Sequence, residues 1–488
     1  MATNGSSHTE GVATHEFFNI INGQRRGAGS GGVDRGIDPR TEEPLWELPV
    51  GSAEDLDDAV AAARAALPGW AATKAEERQQ LLAKMADALG ANMEFLVGVV
   101  MKETGKSQLM ATIEIGNSIN QCKYFANNTL HDKVQFEDDT IKIIETHAPV
   151  GVVGAISPWN FPLILSSMKV VSALVMGNTV IMKPSPFAPY CVLKFAELCQ
   201  SFLPPGVLQA LNGGGELGGL MTLHDGIDKI SFTGSIPTGK KVMANCAKTL
   251  KRVTLELGGN DAALVCADVD LDKVVAQTCA GSFLNAGQYC AATKRIYVHA
   301  DIYDAFVDKF VAETKANYET AFAGDGVSVP TIFGPVSNKM QFDVVKRFLD
   351  DAARPETGGK ILTGGKLHDK GYWIQPTVVA GPREDSMVVK DEQFGPVIPI
   401  MKWSDEQDVI KRANLSNSGL GATVYSKDLT RAERIARQLE SGSVWINMPE
   451  QPHPGAWFGG WKDSGYGGEM GILGLYSYCH IKSIHFAK

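Results

Sequence analysis

The sequence lacks any Cys-x-x-Cys pair, any histidines at metal-ligand spacing, any basic run and any long uninterrupted apolar segment. Each absence removes a class of function. Eight cysteines scattered at 122, 191, 199, 246, 266, 279, 290 and 479 suit reduced, buried thiols in a reducing compartment. They do not suit a disulfide frame or a zinc site, and no metal is expected. A net charge of −9 argues against a nucleic-acid partner. Interrupted apolar stretches leave nothing to span a membrane. Residues 1–15 hold no Lys or Arg, which excludes a secretory signal or mitochondrial presequence, and a disordered leader is expected there. The closing His-Phe-Ala-Lys is not a peroxisomal address, so the expected compartment is the cytoplasm. Gly-x-Gly-x-x-Gly, the usual dinucleotide fingerprint, is missing too, and Gly213-Gly214-Gly215 reads as a plain turn.

What is present is a chain of 488 residues, long enough for two or three full-sized cores. From Asp55 to Leu89 and from Asn92 to Leu109 apolar residues recur at helical spacing, interrupted by Pro68-Gly69. Val134, Phe136, Ile141 and Ile143 flank an acidic turn at Glu137-Asp138-Asp139, which predicts a protruding hairpin. The segment 149–266 then alternates strand-like and helix-like pieces, among them strands at Val150–Ile156, Asn178–Met182, Lys229–Phe232 and Arg252–Leu257. Such alternation implies a parallel sheet covered on both faces, with ligands at the carboxyl ends of its strands. A second run from Ala262 to about Tyr425 predicts another α/β unit, and Ile481–Phe486 a short edge strand.

Two spots carry chemistry. Phe-Leu-Asn-Ala-Gly-Gln-Tyr-Cys at 283–290 places Cys290 after a glycine that permits a sharp turn and close approach to a ligand. Val-Thr-Leu-Glu-Leu-Gly-Gly at 253–259 ends a strand on Glu256. A thiol beside a carboxylate among apolar neighbours is a covalent catalyst: the thiolate attacks, and a carboxylate of raised pKa later activates water. Either alone has a plain alternative, an inert cysteine or a solvated charge. Gly234-Ser235, between a strand ending at Phe232 and a helix running toward Asn245, is either a phosphate-binding helix start or an ordinary N-cap.

Further segments join this pair: Ser-Pro-Trp-Asn-Phe-Pro at 157–162, Lys-Pro-Ser at 183–185 and Phe-Thr-Gly-Ser at 232–235, with Gly239 beyond. After the cysteine come Glu-Gln-Phe-Gly-Pro-Val at 392–397 and Phe-Gly-Gly-Trp-Lys-Asp-Ser-Gly at 458–465. In this order and spacing the chain resembles the aldehyde dehydrogenase superfamily from about Phe18 onward, with 183–212 closest to fungal members of undefined substrate. The resemblance implies an α/β fold with a Rossmann-type cofactor domain (16–130 and 147–258), an α/β catalytic domain (259–470) and a small β oligomerisation element (131–146 and 471–488).

It also implies roles. Cys290 attacks the aldehyde, and Asn160, held between Pro158 and Pro162, joins the Cys290 N–H in an oxyanion hole. Glu256 activates the hydrolytic water, and Lys169 and Glu469 form a proton relay behind it. Ile156, Trp159, Lys183, Ser185, Pro186, Gly234, Ser235, Gly239, Leu257, Glu392 and Phe394 line the cofactor site. Ser235 is both N-cap and pyrophosphate ligand, and Glu392 takes the nicotinamide ribose hydroxyls. One position departs from the family pattern: Pro186 stands where many NAD-selective members carry a Glu, so NADP is expected to be accepted alongside NAD. The substrate tunnel is expected from Phe161, Leu165, Met168, Leu284 and Tyr289, with a mouth at 450–458 that includes Trp457 and Phe458. It is mostly apolar and has no Arg for a substrate carboxylate, which fits a hydrophobic aldehyde. Glu450 reads as a rim charge, or with Trp457 as a site for a cationic aldehyde. Homodimers or homotetramers are expected, with the hairpin and the 481–486 strand pairing across subunits. The competing readings are a non-catalytic protein on this fold, which should have lost Cys290 or Glu256, and a cofactor-free thiol esterase.

Overall fold

The computed structural model describes residues 14–323 and 331–488. All but Thr14 and His15 of the leader expected over 1–15 lie outside the described residues, and His15 stacks on Trp46 with ring centroids 4.3 Å apart. Two large sheets organise the chain. In the first, Leu208–Ala210, Thr179–Lys183, Val152–Ile156, Lys229–Gly234 and Arg252–Leu257 run parallel in that spatial order. Asn19–Ile21 with Gln24–Arg26 closes one edge and Gly465–Tyr466 the other, all antiparallel. The chain steps outward from Val152–Ile156 through two strands, then returns to lay Lys229–Gly234 on its other side. Ligands of open parallel sheets bind at such a reversal, outside the carboxyl ends. The Ser157–Asn160, Lys183–Pro186, Gly234–Ser235 and Leu257–Gly259 segments all leave strands at that end.

The second sheet runs Lys360–Thr363, Thr377–Ala380, Val397–Trp403, Thr293–His299, Asp261–Val265, Gly421–Tyr425 and Ser443–Ile446, parallel except for the first strand. Its central strands are buried on both faces, as parallel strands covered by helices must be. Among the described residues no helix is long and apolar enough to cross a membrane.

Two expectations of the helical region change. The helix Ala53–Ala71 runs through Pro68 and ends one turn after it. The break comes a few residues later, at 72–74, before the helix Ala75–Ala91; Met93–Thr104 ends on Gly105, whose φ is 75°, and a further helix, Gln108–Asn127, follows that the periodicity did not announce. The hairpin and the C-terminal strand belong to a single three-stranded sheet. They pair with each other in one chain, Cys479–Ala487 lying antiparallel to Ile141–Pro149, which also pairs with Lys133–Glu137. The match is nine residues long, and a Lys488–Glu137 ion pair at 3.0 Å adds to it.

Candidate active site

The helix Pro162–Val175 opens on Pro162, whose fixed φ suits a first helical position, and the Leu163 N–H donates to Glu114 Oε1 at 2.9 Å. This fixes the residues just before it. Asn160 is buried; its Nδ2 donates to the Gln288 carbonyl at 3.1 Å, and its own carbonyl accepts from the buried Lys106 ammonium and from Asn285 Nδ2. Lys106 is further paired with Glu114 at 2.7 Å and sits 4.2 Å above the Phe161 ring.

Cys290 arrives from the second sheet's side. Asn285, Ala286 and Gly287 have φ of 51°, 55° and 73°, three left-handed residues in a row. Only glycine takes that conformation freely, so the loop is held there by its surroundings. A Cβ on Gly287 would lie 2.6 Å from the Gly395 carbonyl, so the nucleophile loop packs directly on the 392–395 segment. Around the Cys290 thiol lie Met168, Phe458, Leu420 and Met470, with Leu165, Tyr289 and Trp445 packed beside them. The Phe161 and Tyr289 rings meet edge to face at 5.5 Å.

Glu256 comes from the first sheet. Parallel register sets Thr233 beside it, and the Thr233 hydroxyl donates to Oε2 at 3.0 Å. Oε1 has no hydrogen-bond partner of normal geometry, although it is buried. Burial raises the Glu256 carboxyl, with Lys169 opposing. Burial and the Glu256 charge push the Cys290 thiol well up, with Lys294 opposing, so both groups rest protonated more readily than in water. Behind Glu256, Lys169 Nζ donates to Glu469 Oε2 at 2.8 Å and to Ser231 Oγ at 3.1 Å. Glu469 Oε1 also accepts from the Tyr478 hydroxyl at 2.8 Å and from Ser231. Burial works against the Glu469 charge, but Lys169 and these donors outweigh it and hold the carboxyl below its ordinary range. Neither Lys169 nor Glu469 is a surface charge.

The cofactor candidates gather at the strand ends. Trp159 and Phe394 meet edge to face at 5.5 Å. Glu392 Oε1 accepts from the Gly259 N–H at 3.1 Å, and its carboxyl occupies the space a Gly258 side chain would fill. Ser235 stands at the N-cap of Ile236–Cys246, yet its hydroxyl meets Thr238 Oγ1 at 3.0 Å and caps no backbone N–H. The side-chain capping expected of Ser235 is therefore absent, and the first-turn donors stay open to an anion. A Cβ on Gly239 would lie 2.5 Å from Leu257 Cδ2, so this helix packs closely on the strand end, where Ile156 is also buried. Lys183 Nζ donates to the Pro184 and Gly213 carbonyls at 2.9 and 2.7 Å, and burial lowers it to about 8. Ser185 is buried beside it and Pro186 half-buried. These residues fit a dinucleotide: open helix donors, a carboxylate for hydroxyls and an aromatic wall.

Three tunnel candidates fall elsewhere. Glu450 is no rim charge. It is buried, and Oε1 accepts from Thr293 at 2.6 Å and Thr423 at 2.9 Å, hydroxyls that draw it into the second sheet. Trp457 does not join it, because its ring covers Gly459 and Gly468. Leu284 is half-buried and lies outside the apolar group at Cys290. Lys106, Thr233, Lys294, Trp445 and Tyr478 went unnoticed from the sequence. Thr233 alone carried a signal there, since Lys229, Ser231 and Thr233 alternate with apolar residues and so share one strand face.

The aldehyde dehydrogenase family model matches residues 31–484. The chain belongs to the aldehyde dehydrogenase family. Aldehyde dehydrogenase LUC3 of a Fusarium species is 41% identical over 475 residues, covering 97% of this chain and 99% of that one. The chloroplastic betaine aldehyde dehydrogenase of Beta vulgaris is 38% identical, with 92% of each chain covered. An aldehyde dehydrogenase of Bacillus cereus solved with NAD+ superposes with a TM-score of 0.93 at 33% identity, covering 99% of both chains.

Proposed function

We propose that the chain oxidises a neutral hydrophobic aldehyde to its carboxylic acid through a thioester on Cys290, with NAD or NADP. The observation that carries this reading is the buried Glu256–Cys290 pair among apolar and aromatic neighbours. Cys290 gives its proton to Glu256 and bonds to the aldehyde carbon. The amide of Asn160 has two N–H donors and spends one on Gln288, which leaves the other for the adduct oxygen. A bound nicotinamide supplies the hydride acceptor that this oxidation needs, held by Glu392, Lys183 and the Ile236–Cys246 helix start. Glu256, having passed the thiol proton to Lys169 and Glu469, then takes a proton from water as it attacks the acyl carbon, and Cys290 leaves as the thiolate. Lys169 and Glu469 carry that proton away from Glu256.

The tunnel side chains are apolar or aromatic, and Glu450 is turned into the protein interior, which favours a neutral over a cationic aldehyde. The exposed apolar face of the three-stranded sheet fits a second copy of the chain, in a homodimer or homotetramer. A panel of aldehydes of graded length and aromaticity, followed by absorbance of reduced cofactor, tests the substrate class. The expected outcome is kcat/KM rising with apolar length, and a preference for trimethylammonium aldehydes refutes it. Cys290→Ala should lower turnover by about three orders of magnitude or more while cofactor still binds.

A further inference from the structure

Lys294 is the second residue of the strand Thr293–His299, and its side chain is only 2% exposed. Its ammonium donates to the Tyr289 carbonyl at 2.9 Å and the Cys290 carbonyl at 2.6 Å, and pairs with Glu392 Oε1 at 3.2 Å. An ammonium has three donors, so all are committed. The three acceptors belong to two separate segments, the Cys290 loop and the carboxylate assigned to the cofactor ribose. Those segments also touch through Gly287 against Gly395, and Gln393 Nε2 donates to the Lys294 carbonyl at 3.4 Å.

We propose that Lys294 is a positioning residue for aldehyde oxidation, tying the Cys290 loop to Glu392 and placing a buried cation beside the thiolate that must form. This rests on the reading of Cys290 as nucleophile and Glu392 as cofactor ligand. The charged groups acting on the thiol are Glu256 from Arg252–Leu257, Asp261 from Asp261–Val265 and Lys294 from Thr293–His299. Burial raises the Asp261 carboxyl to about 7, with Lys294 opposing and with Glu450 and Glu392 adding to the rise. Removing Lys294 leaves the thiol facing carboxyl groups alone. Glu392 in turn offsets part of the Lys294 charge, so removing Glu392 acts on the thiol in the opposite sense.

The test is the pH profile of iodoacetamide alkylation of Cys290 in the full-length, cofactor-free protein, assigned by peptide mass, together with NADH affinity from fluorescence. Lys294→Met should move the alkylation profile to higher pH by about one unit, a roughly tenfold slower reaction at fixed neutral pH. Glu392→Gln should move it to lower pH. Both should weaken NADH, and the double variant should lose no more than the worse single one, because both cut the same tie. A merely structural role lowers the reactive fraction without moving the profile in opposite directions. An unmoved Lys294→Met profile, or additive NADH losses, overturns the proposal. If Lys294→Met does not fold, Glu392→Gln decides, and a profile unmoved or shifted upward overturns it. If the parent keeps its activity with Cys290 fully alkylated, the nucleophile reading itself has failed. If activity falls in step with the label and the variants do not shift, only the Lys294 proposal has failed.

Discussion

At Glu256 one carboxyl oxygen is engaged by Thr233 and the other is buried with no hydrogen-bond partner of normal geometry, an arrangement that suits a base needing one lone pair for water. Because burial raises its pKa, the group is ionised only at higher pH than an ordinary glutamate, and a base must be ionised to act. The kcat profile should therefore fall as pH drops, along a limb above the ordinary glutamate range. Glu256→Gln should remove that limb and slow steady-state turnover by about 10²–10⁴. A second prediction concerns Lys183, lowered to about 8 and next to Pro186, where no carboxylate repels a 2′-phosphate. A phosphate binds the ammonium form, so KM for NADP should rise above about pH 8 more steeply than KM for NAD. Pro186→Glu should weaken NADP selectively. A quarter of a roughly 4 kcal/mol Coulomb repulsion already gives about fivefold, read as kcat/KM for both cofactors.

Elements bring these residues together by register and close packing. The parallel pairing of Lys229–Gly234 with Arg252–Leu257 sets Thr233 beside Glu256 and Ser231 beside Thr254, so a polar stripe runs down one buried face. It meets Lys169 and Glu469 there. Glu469→Gln removes the charge that Lys169 answers and should slow deacylation more than acylation, seen as a larger burst of reduced cofactor before a slower steady state. Gly239→Ala pushes the Ile236–Cys246 helix off Leu257 and should weaken NAD with little change in kcat, measured by cofactor titration. Much of this was legible in the sequence, because strand ends, Pro162 and Gly287 announce themselves locally. Glu450 was not: its partners Thr293 and Thr423 lie far off in the chain, and only strand pairing in the second sheet draws them round it. Lys294 was hidden for a like reason. It reads as one cation in a basic dipeptide, and nothing local says that it folds back onto the carbonyls of Tyr289 and Cys290.

For the whole molecule, one face of the three-stranded sheet leaves Val134, Ile484 and Phe486 exposed, with Val134, Ile144 and Ile484 in one cross-strand row, while Phe136 and Ile481 are exposed on the other face. A second copy would cover the Ile484 face, so Ile484→Asp should lower the oligomer mass in sedimentation while leaving the secondary structure unchanged. The proposed reaction, too, draws on the whole chain, since Glu256 belongs to the first sheet and Cys290 lies just ahead of the second sheet's strand Thr293–His299. That union is tested most directly by the mass of the Cys290 peptide after Glu256→Gln protein has been mixed with a hydrophobic aldehyde and NAD. With the base removed, acyl transfer to the thiol should outrun hydrolysis, and the peptide should carry the mass of the acyl group on Cys290. An unmodified Cys290 peptide in a variant that still turns over at the parent rate would contradict the account.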